Sequence, residues 1–356
     1  MTARTAHTDA AGLDAAAATL LGGGVAVIPT DTVYGLAAHP GFSEAVSRLY
    51  TIKARDAGKP IALLASDAAG AERFVAAEAA AVGARHWPGA LTVVAHGEGV
   101  RVPDHEWTRE LISRCGGALR VTSANMSGRR PATDAPAALA EVGLSADLVV
   151  DGGTSPGGAA STVVKVENGE IAVLRRGPVK FLTLASGSPR RAKILRDLGV
   201  DFVVAKSDAQ EVSWPHDPER TVRENALAKG AAAENAGGGR VLSADTIVWF
   251  GGRIYGKPRD LAEAMEFLRE LSGNVHTVFT GVACDGEAKV VRSDVRFRRL
   301  DEAMIDEYVE RVRPTDRAGA YDIDESGDLI VEGYTGSYEN IMGLPVEPLR
   351  EWGIVK

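Results

Sequence analysis

The chain has 356 residues, 45% hydrophobic and 25% charged, which is long for one core and ordinary for two soluble domains. Its net charge is −8, and neither residues 1–180, with 17 basic and 18 acidic side chains, nor the remainder, with 23 and 30, has the basic excess of a general nucleic-acid binder, so any phosphate recognition has to be local. The two cysteines fall one in each half, which excludes a disulfide within either; with no basic-then-apolar leader and no run near the ~18 apolar residues of a membrane span, a cytoplasmic location is expected.

In chain order, Leu13–Leu21 reads as an amphipathic helix closed by Gly22-Gly23-Gly24, and Val25–Ile28 as a short buried strand. The strand delivers Pro29-Thr30-Asp31-Thr32-Val33-Tyr34-Gly35 at its end, a crowd of hydroxyls, a carboxylate and a phenol that suits a polar ligand or, equally, a capped turn. A helix over Ser43–Ile52 leads into Lys53, Arg55 and Lys59, cations that form either a solvated face or an anion site. There follow a helix within Asp67–His86, the turn Trp87-Pro88-Gly89, strands at Leu91–Ala95 and Val100–Val102, a helix at Glu106–Arg114 and a strand at Ala118–Val121. That strand ends in Thr122-Ser123-Ala124-Asn125, another polar cluster. Ser161–Val166 and Ile171–Leu174 around Asn168-Gly169 read as a type I′ hairpin, with Arg175 after it.

Pro-Thr-Asp-Thr-Val-Tyr-Gly, Lys-x-Arg at 53 and 55, Trp-Pro-Gly-x-Leu-Thr at 87–92, Arg-Val-Pro at 101–103, Ser-x-Asn at 123 and 125, Ser-Thr-Val-Val at 161–164 and Arg175 occur in one order. Over about residues 12–178 this resembles the YrdC-type threonylcarbamoyl-AMP synthases, which join threonine, bicarbonate and ATP for a tRNA modification. The resemblance implies that Lys53, Arg55, Ser123, Asn125 and Arg175 hold ATP, with Lys53 and Arg55 neutralising charge in the reaction, and that Thr30, Thr32, Arg101 and Ser161 hold threonine. The segments Ser66–His86 and Ala95–Val100 are short for the family, and Leu64 stands where a polar residue is common.

The second half opens with an apolar run at Phe181–Ala185, a strand that feeds Ser188 as helix N-cap, Pro189 at the first helical position and Gly199 at the stop. Arg190 and Arg191 in the first turn oppose the helix dipole, which suggests a compensating anion; the alternative is a surface turn with solvated arginines. Phe202–Val204 is a strand, Pro218–Glu234 a helix containing Lys229, and Val241–Ser243 a strand ending at Ala244-Asp245-Thr246, where an Asp serves either metal and base chemistry or a helix cap. A hairpin at Gly251-Gly252, Gly256-Lys257-Pro258, and a helix Leu261–Leu271 with Leu261, Met265, Leu268 and Leu271 facing inward follow. Next are a strand through Val275-His276-Thr277-Val278-Phe279-Thr280-Gly281, a partner strand after Asp285-Gly286, and a helix over Asp301–Arg311.

Ser-x-Ser-Pro-Arg-Arg, Ser-Ala-Asp-Thr, Gly-Lys-Pro, His-x-Val-x-Thr-Gly, Ala-Gly-Ala-Tyr and the Asn-x-x-Gly-Leu-Pro tail make residues 181–356 resemble a Maf-type nucleoside triphosphate pyrophosphatase. The resemblance implies triphosphate binding by Ser188, Arg190, Arg191, Lys229 and Lys257, and Mg²⁺ or another divalent cation on Glu211 and Asp245. Asp245 would also activate water. Arg190 and Thr246 match the branch acting on dTTP and UTP, whereas Asp324 replaces that branch's Gln. The expectation is an α/β chain of two domains: 1–178, a YrdC-like twisted mixed sheet, and 179–356, a Maf/ITPase-like α/β domain. Its expected activities are threonylcarbamoyl-AMP synthesis and triphosphate hydrolysis. The alternative keeps catalysis only in the Maf half, with a nucleotide- or RNA-binding module before it. Implied partners are ATP, L-threonine, bicarbonate and nucleoside triphosphates, with tRNA-modification proteins and a homodimer as macromolecular candidates, and no membrane.

Overall fold

The computed structural model describes residues 4–356, which separate into two compact units divided between Lys180 and Phe181. Unit 1 holds strands β1 (Arg4–His7), β2 (Val25–Ile28), β3 (Gly35–Ala38), β4 (Leu63–Ala65), β5 (Leu91–Ala95), β6 (Glu98–Arg101), β7 (Ala118–Ser123), β8 (Leu148–Asp151), β9 (Thr162–Glu167) and β10 (Glu170–Arg175). They form one mixed sheet in the order β1-β8-β2-β3-β7-β4-β6-β5-β9-β10. Every residue of β2 and β3 is buried, so these strands read as continuous apolar runs instead of alternating ones. Helices Ala10–Leu21 and Glu106–Arg114 pack through Leu13, Leu20, Leu111 and Ile112 on one face, and Ser43–Lys53 and Ala135–Glu141 through Ala45, Leu49 and Ala138 on the other. Asn168 and Gly169 take φ of 54° and 72°, the left-handed pair that a type I′ hairpin requires.

The helix expected within Asp67–His86 is two shorter ones, Ala68–Ala71 and Ala77–Ala84. The first is capped by Asp67, whose Oδ1 accepts from Gly70 N at 2.7 Å.

Unit 2 contains β11 (Phe181–Leu184), β12 (Phe202–Val204), β13 (Gly238–Phe250), β14 (Arg253–Tyr255), β15 (Val275–Cys284), β16 (Glu287–Phe297) and β17 (Val331–Thr335), in the order β12-β11-β13-β15-β16-β17, with β14 on β13. The strand expected to stop before Asp245 does not stop: β13 runs 13 residues and Asp245 lies within it. What ends there is the pairing. β11 leaves β13 at Leu242 and β14 joins at Val248, so between them this edge of β13 has no ladder partner among the described residues, while β15 pairs continuously along the other edge.

Alternation along β13 sends Leu242 and Ala244 into a core with Leu184, Ile194 and Leu195, and Ser243, Asp245 and Ile247 toward the helix Pro218–Ala232. On the helix Leu261–Leu271 the inward face is Ala264, Phe267, Leu268 and Leu271; Leu261, expected inside, is 41% exposed because it occupies the first position after the Asp260 cap.

Candidate active sites of the two units

In unit 1 the residues 62 and 64, 92 and 94, 99 and 101, and 121 and 123, on or beside four neighbouring strands, share one face of the sheet. A cavity of about 340 Å³ lies on that face, its rim completed by Thr30, Thr32, Arg55, Ser161 and Arg175. Polar clusters that stand apart in the sequence therefore meet on a sheet face, not only at strand ends.

Arg101, only 5% exposed, is held on three sides: Nε donates to Gly89 O at 2.8 Å, Nη1 to Thr32 Oγ1 at 2.8 Å, and Nη2 pairs with Asp31. Thr30 Oγ1 donates to Val33 O at 2.6 Å and lies 3.1 Å from Thr32 Oγ1, which fixes the turn. Arg175 donates through Nε and Nη2 to Ser161 O at 3.0 and 2.8 Å, and Ser161 Oγ lies 2.9 Å from Thr92 Oγ1. Burial holds both the Arg101 and the Arg175 guanidinium below the usual arginine range.

Seven of the nine unit 1 residues singled out from the sequence line this cavity; Lys53 and Asn125 do not. Ala54 ends the helix in the left-handed conformation (φ 47°), so Lys53 stays on the buried side while Arg55 turns to the cavity, where it donates to Lys59 O and Pro60 O at 3.0 Å each. The Lys53 ammonium, 2% exposed, donates to the carbonyls of Ser123 and Asn125, and burial, followed by repulsion from Arg55, pushes its pKa down to about 8. Asn125 donates to Met126 O and Arg129 O at 2.8 Å each. Lys53 and Asn125 thus brace the loop behind Ser123. Asp31 and Thr92 stood within quoted motifs but carried no individual role in the sequence reading; adjacency of Asp31 to both threonines was the available signal.

In unit 2 the open edge of β13 is flanked by the N-terminus of the helix Pro189–Asp197. The Ser188 hydroxyl makes no capping bond there, and Arg190 Nη1 reaches Asp322 Oδ2 at 3.2 Å. Arg191 is nearly saturated: it donates to Gly343 O, Ser186 Oγ, Ala244 O and Thr246 Oγ1 at 2.8 to 3.0 Å, and burial lowers its pKa to about 10. It ties β13, the turn after β11 and the C-terminal Gly-Leu-Pro segment together. On the opposite face Lys229 Nζ lies 2.5 Å from Asp245 Oδ1 and 2.7 Å from Glu211 Oε1, and Asn225 Nδ2 donates to Asp245 Oδ2 at 3.0 Å.

Residues 181–352 match the family described as Maf-like protein, and a dTTP/UTP pyrophosphatase of Bacillus cereus is 42% identical over 177 residues, 48% of this chain and 87% of that protein. The chain belongs to the Maf family. Ahead of its Maf domain it carries a YrdC-type domain: residues 18–177 match the Sua5/YciO/YrdC family described as Telomere recombination. Among solved structures, Pyrococcus abyssi ("P. abyssi") Sua5 complexed with L-threonine is 24% identical with a TM-score of 0.48, covering 57% of this chain, which spans 62% of that one. Escherichia coli ("E. coli") YciO is 23% identical with a TM-score of 0.46, covering 50% of this chain and 96% of its own. Both domains are mixed α/β, as the sequence reading expected.

Within the Maf domain the Lys229 ammonium sits where two carboxylates converge on one cationic centre. Hard oxygen donors of this kind fit Mg²⁺ or a similar divalent ion, which completes its shell from water and phosphate. Among the described residues no cluster of three or more His, Cys, Asp or Glu side chains could hold a metal alone. Lys257 is exposed.

At the other end of the site Asp324 Oδ1 accepts from Tyr338 OH at 3.0 Å, and its N–H donates to Asp322 Oδ1 at 2.9 Å. Asp322, 6% exposed, also accepts from Arg317 Nε at 3.0 Å. Asn225, Arg317 and Asp322 were not foreseen; the four-residue spacing of Asn225 and Lys229 on one helix was the legible hint for the first, and nothing marked the other two.

Among the described residues no helix is long and apolar enough to cross a membrane.

Proposed function

We propose that the Maf domain hydrolyses nucleoside triphosphates, with dTTP and UTP preferred, to monophosphate and pyrophosphate, and that the YrdC-type domain makes threonylcarbamoyl-AMP from ATP, threonine and bicarbonate. The observation that carries the first part is Glu211, Lys229 and Asp245 meeting at the open edge of β13, in a half that is 42% identical to proteins named dTTP/UTP pyrophosphatase.

The backbone N–H groups of Arg190 and Arg191, in the first turn of the helix Pro189–Asp197, offer an electropositive seat for phosphate oxygens. Arg191 keeps that seat against β13 and is too fully bonded to turn away. Water attacks the α-phosphorus, the bond to the bridging oxygen breaks, and pyrophosphate leaves; Asp245 Oδ1 takes the water's proton. A divalent cation, when held by Glu211 and Asp245, supplies charge neutralisation on the phosphoryl oxygens. Lys229 then serves the triphosphate. Asp324 offers acceptors only, so it suits the ring N–H of thymine or uracil and leaves the carbonyls to Arg190 and Thr246.

In the YrdC-type domain Arg101 and Thr32 suit the carboxylate and hydroxyl of threonine, and Arg55, Ser123 and Arg175 the phosphates of ATP. Charge neutralisation and in-line placement are the main requirements of such a displacement. The placement of Lys53 and Asn125 behind the cavity wall favours a second reading, a nucleotide- or RNA-binding module without synthesis.

One experiment separates them. Asp245→Asn removes the proton acceptor and should cut pyrophosphatase turnover by about 10²–10⁴-fold with the fold intact. The same variant, given ATP, threonine, bicarbonate and Mg²⁺, should then yield a threonine-dependent adduct by mass spectrometry. Absence of the adduct, with dTTP or UTP still hydrolysed by the parent, reduces the first domain to a binding module.

A further inference from the structure

Glu211 is the weakly held member of the proposed metal pair. Its side chain is 60% exposed, it lies in the irregular segment 205–217 between β12 and the helix Pro218–Ala232, and Lys229 is its ion-pair partner. Asp245, by contrast, is 5% exposed on a central strand.

The two are joined through Asn225, itself 3% exposed on the helix Pro218–Ala232. Its Oδ1 accepts from Val212 N at 2.8 Å, its Nδ2 donates to Val212 O at 3.0 Å, and the second hydrogen of Nδ2 donates to Asp245 Oδ2 at 3.0 Å. One amide thus satisfies both main-chain groups of the residue after Glu211 and one oxygen of Asp245. No other side chain of this size has two donors and an acceptor in that geometry. Aspartate would lose both donors and set a second carboxylate on Asp245; leucine would take their partner from Val212 N, Val212 O and the buried Asp245 Oδ2.

We propose that Asn225 is a positioning residue that sets Glu211 beside Asp245, so that the divalent-cation site is assembled before substrate arrives. This rests on the reading of Glu211 and Asp245 as the metal pair, and it assigns Asn225 no contact with substrate. Thr221, four residues earlier on the same helix, anchors the far end of the segment, its Oγ1 accepting from Trp214 N at 2.9 Å, and provides the structural control.

The test is Mn²⁺ binding to the nucleotide-free full chain by electron paramagnetic resonance, beside the Mg²⁺ activation constant for UTP hydrolysis and hydrogen exchange at Val212. Asn225→Ala should weaken Mn²⁺ binding and raise the activation constant by about tenfold, the size of effect typical when a residue orienting a metal ligand is removed, and should unprotect the Val212 amide. Thr221→Val should lower thermal stability and leave both metal constants within twofold. Equal metal constants in Asn225→Ala and the parent overturn the proposal, as does an equal rise in Thr221→Val, which would make the effect general loosening of the segment. Glu211→Gln and Asp245→Asn separate the two levels: if neither weakens Mn²⁺ binding the metal reading itself fails, whereas if both do and Asn225→Ala does not, only the positioning role fails.

Discussion

At the residue scale, burial decides what the charged and titratable side chains do. His276 is 1% exposed and edge-on to Phe297 and Tyr321, with Nε2 3.0 Å from Tyr321 OH, and burial pushes its pKa down to about 3 against a small upward pull from Asp294. The unfolded chain takes up this proton near pH 6.5 and the folded chain only near 3. As pH falls through that window the unfolded state binds more protons and stability drops, by at most about 1.4 kcal/mol per unit. Urea unfolding between pH 7 and 4 should show the parent losing about 2–3 kcal/mol more than His276→Gln; identical pH profiles would contradict this. The motif residues His276, Arg191 and Lys53 were all legible as special in the sequence. Their surroundings were not: that the fold sets Lys53 and Arg191 against main-chain carbonyls and His276 against Tyr321 OH depends on residues far away in the chain.

At the element scale the open edge of β13 and the helix Pro218–Ala232 carry the proposed Maf site, and one glycine brings that helix close to β15. A Cβ on Gly281 would meet Val222 O at 2.2 Å, so β15 and that helix touch main chain to main chain. Gly281→Ala should therefore cost about 1–3 kcal/mol by overpacking. It should also lower UTP turnover, since Asn225 and Lys229 ride on the displaced helix. Gly333→Ala, where a Cβ meets nothing within 4 Å, should do neither, in thermal melts and assays run side by side. The glycine ending the His-x-Val-x-Thr-Gly motif is thus explained by close approach. The sequence reading placed Asp245 at a strand end because Ala244-Asp245-Thr246 breaks the apolar run. The structure shows a single strand that loses one neighbour there, and the identity of an edge partner is a long-range fact that local composition does not carry.

At the scale of the whole molecule each site draws its side chains from one unit, Thr30 to Arg175 in the first and Ser186 to Gly343 in the second. Arg55→Ala should accordingly abolish the threonine-dependent adduct while leaving UTP hydrolysis within twofold, measured on the same preparation. A parallel loss of both would show that the sites are coupled. Two α/β domains were legible from the sequence alone because apolar runs, caps and Gly-rich turns act over a few residues, and the two families through the resemblance that the ordered motifs carry. Only the tertiary structure decided that Arg55 faces the cavity and Lys53 the interior, that Arg191 is bonded on every side, and that Asn225 joins Glu211 to Asp245. Each of those outcomes depends on which distant carbonyl or carboxylate the fold brings within about 3 Å, a distance that sequence spacing does not encode.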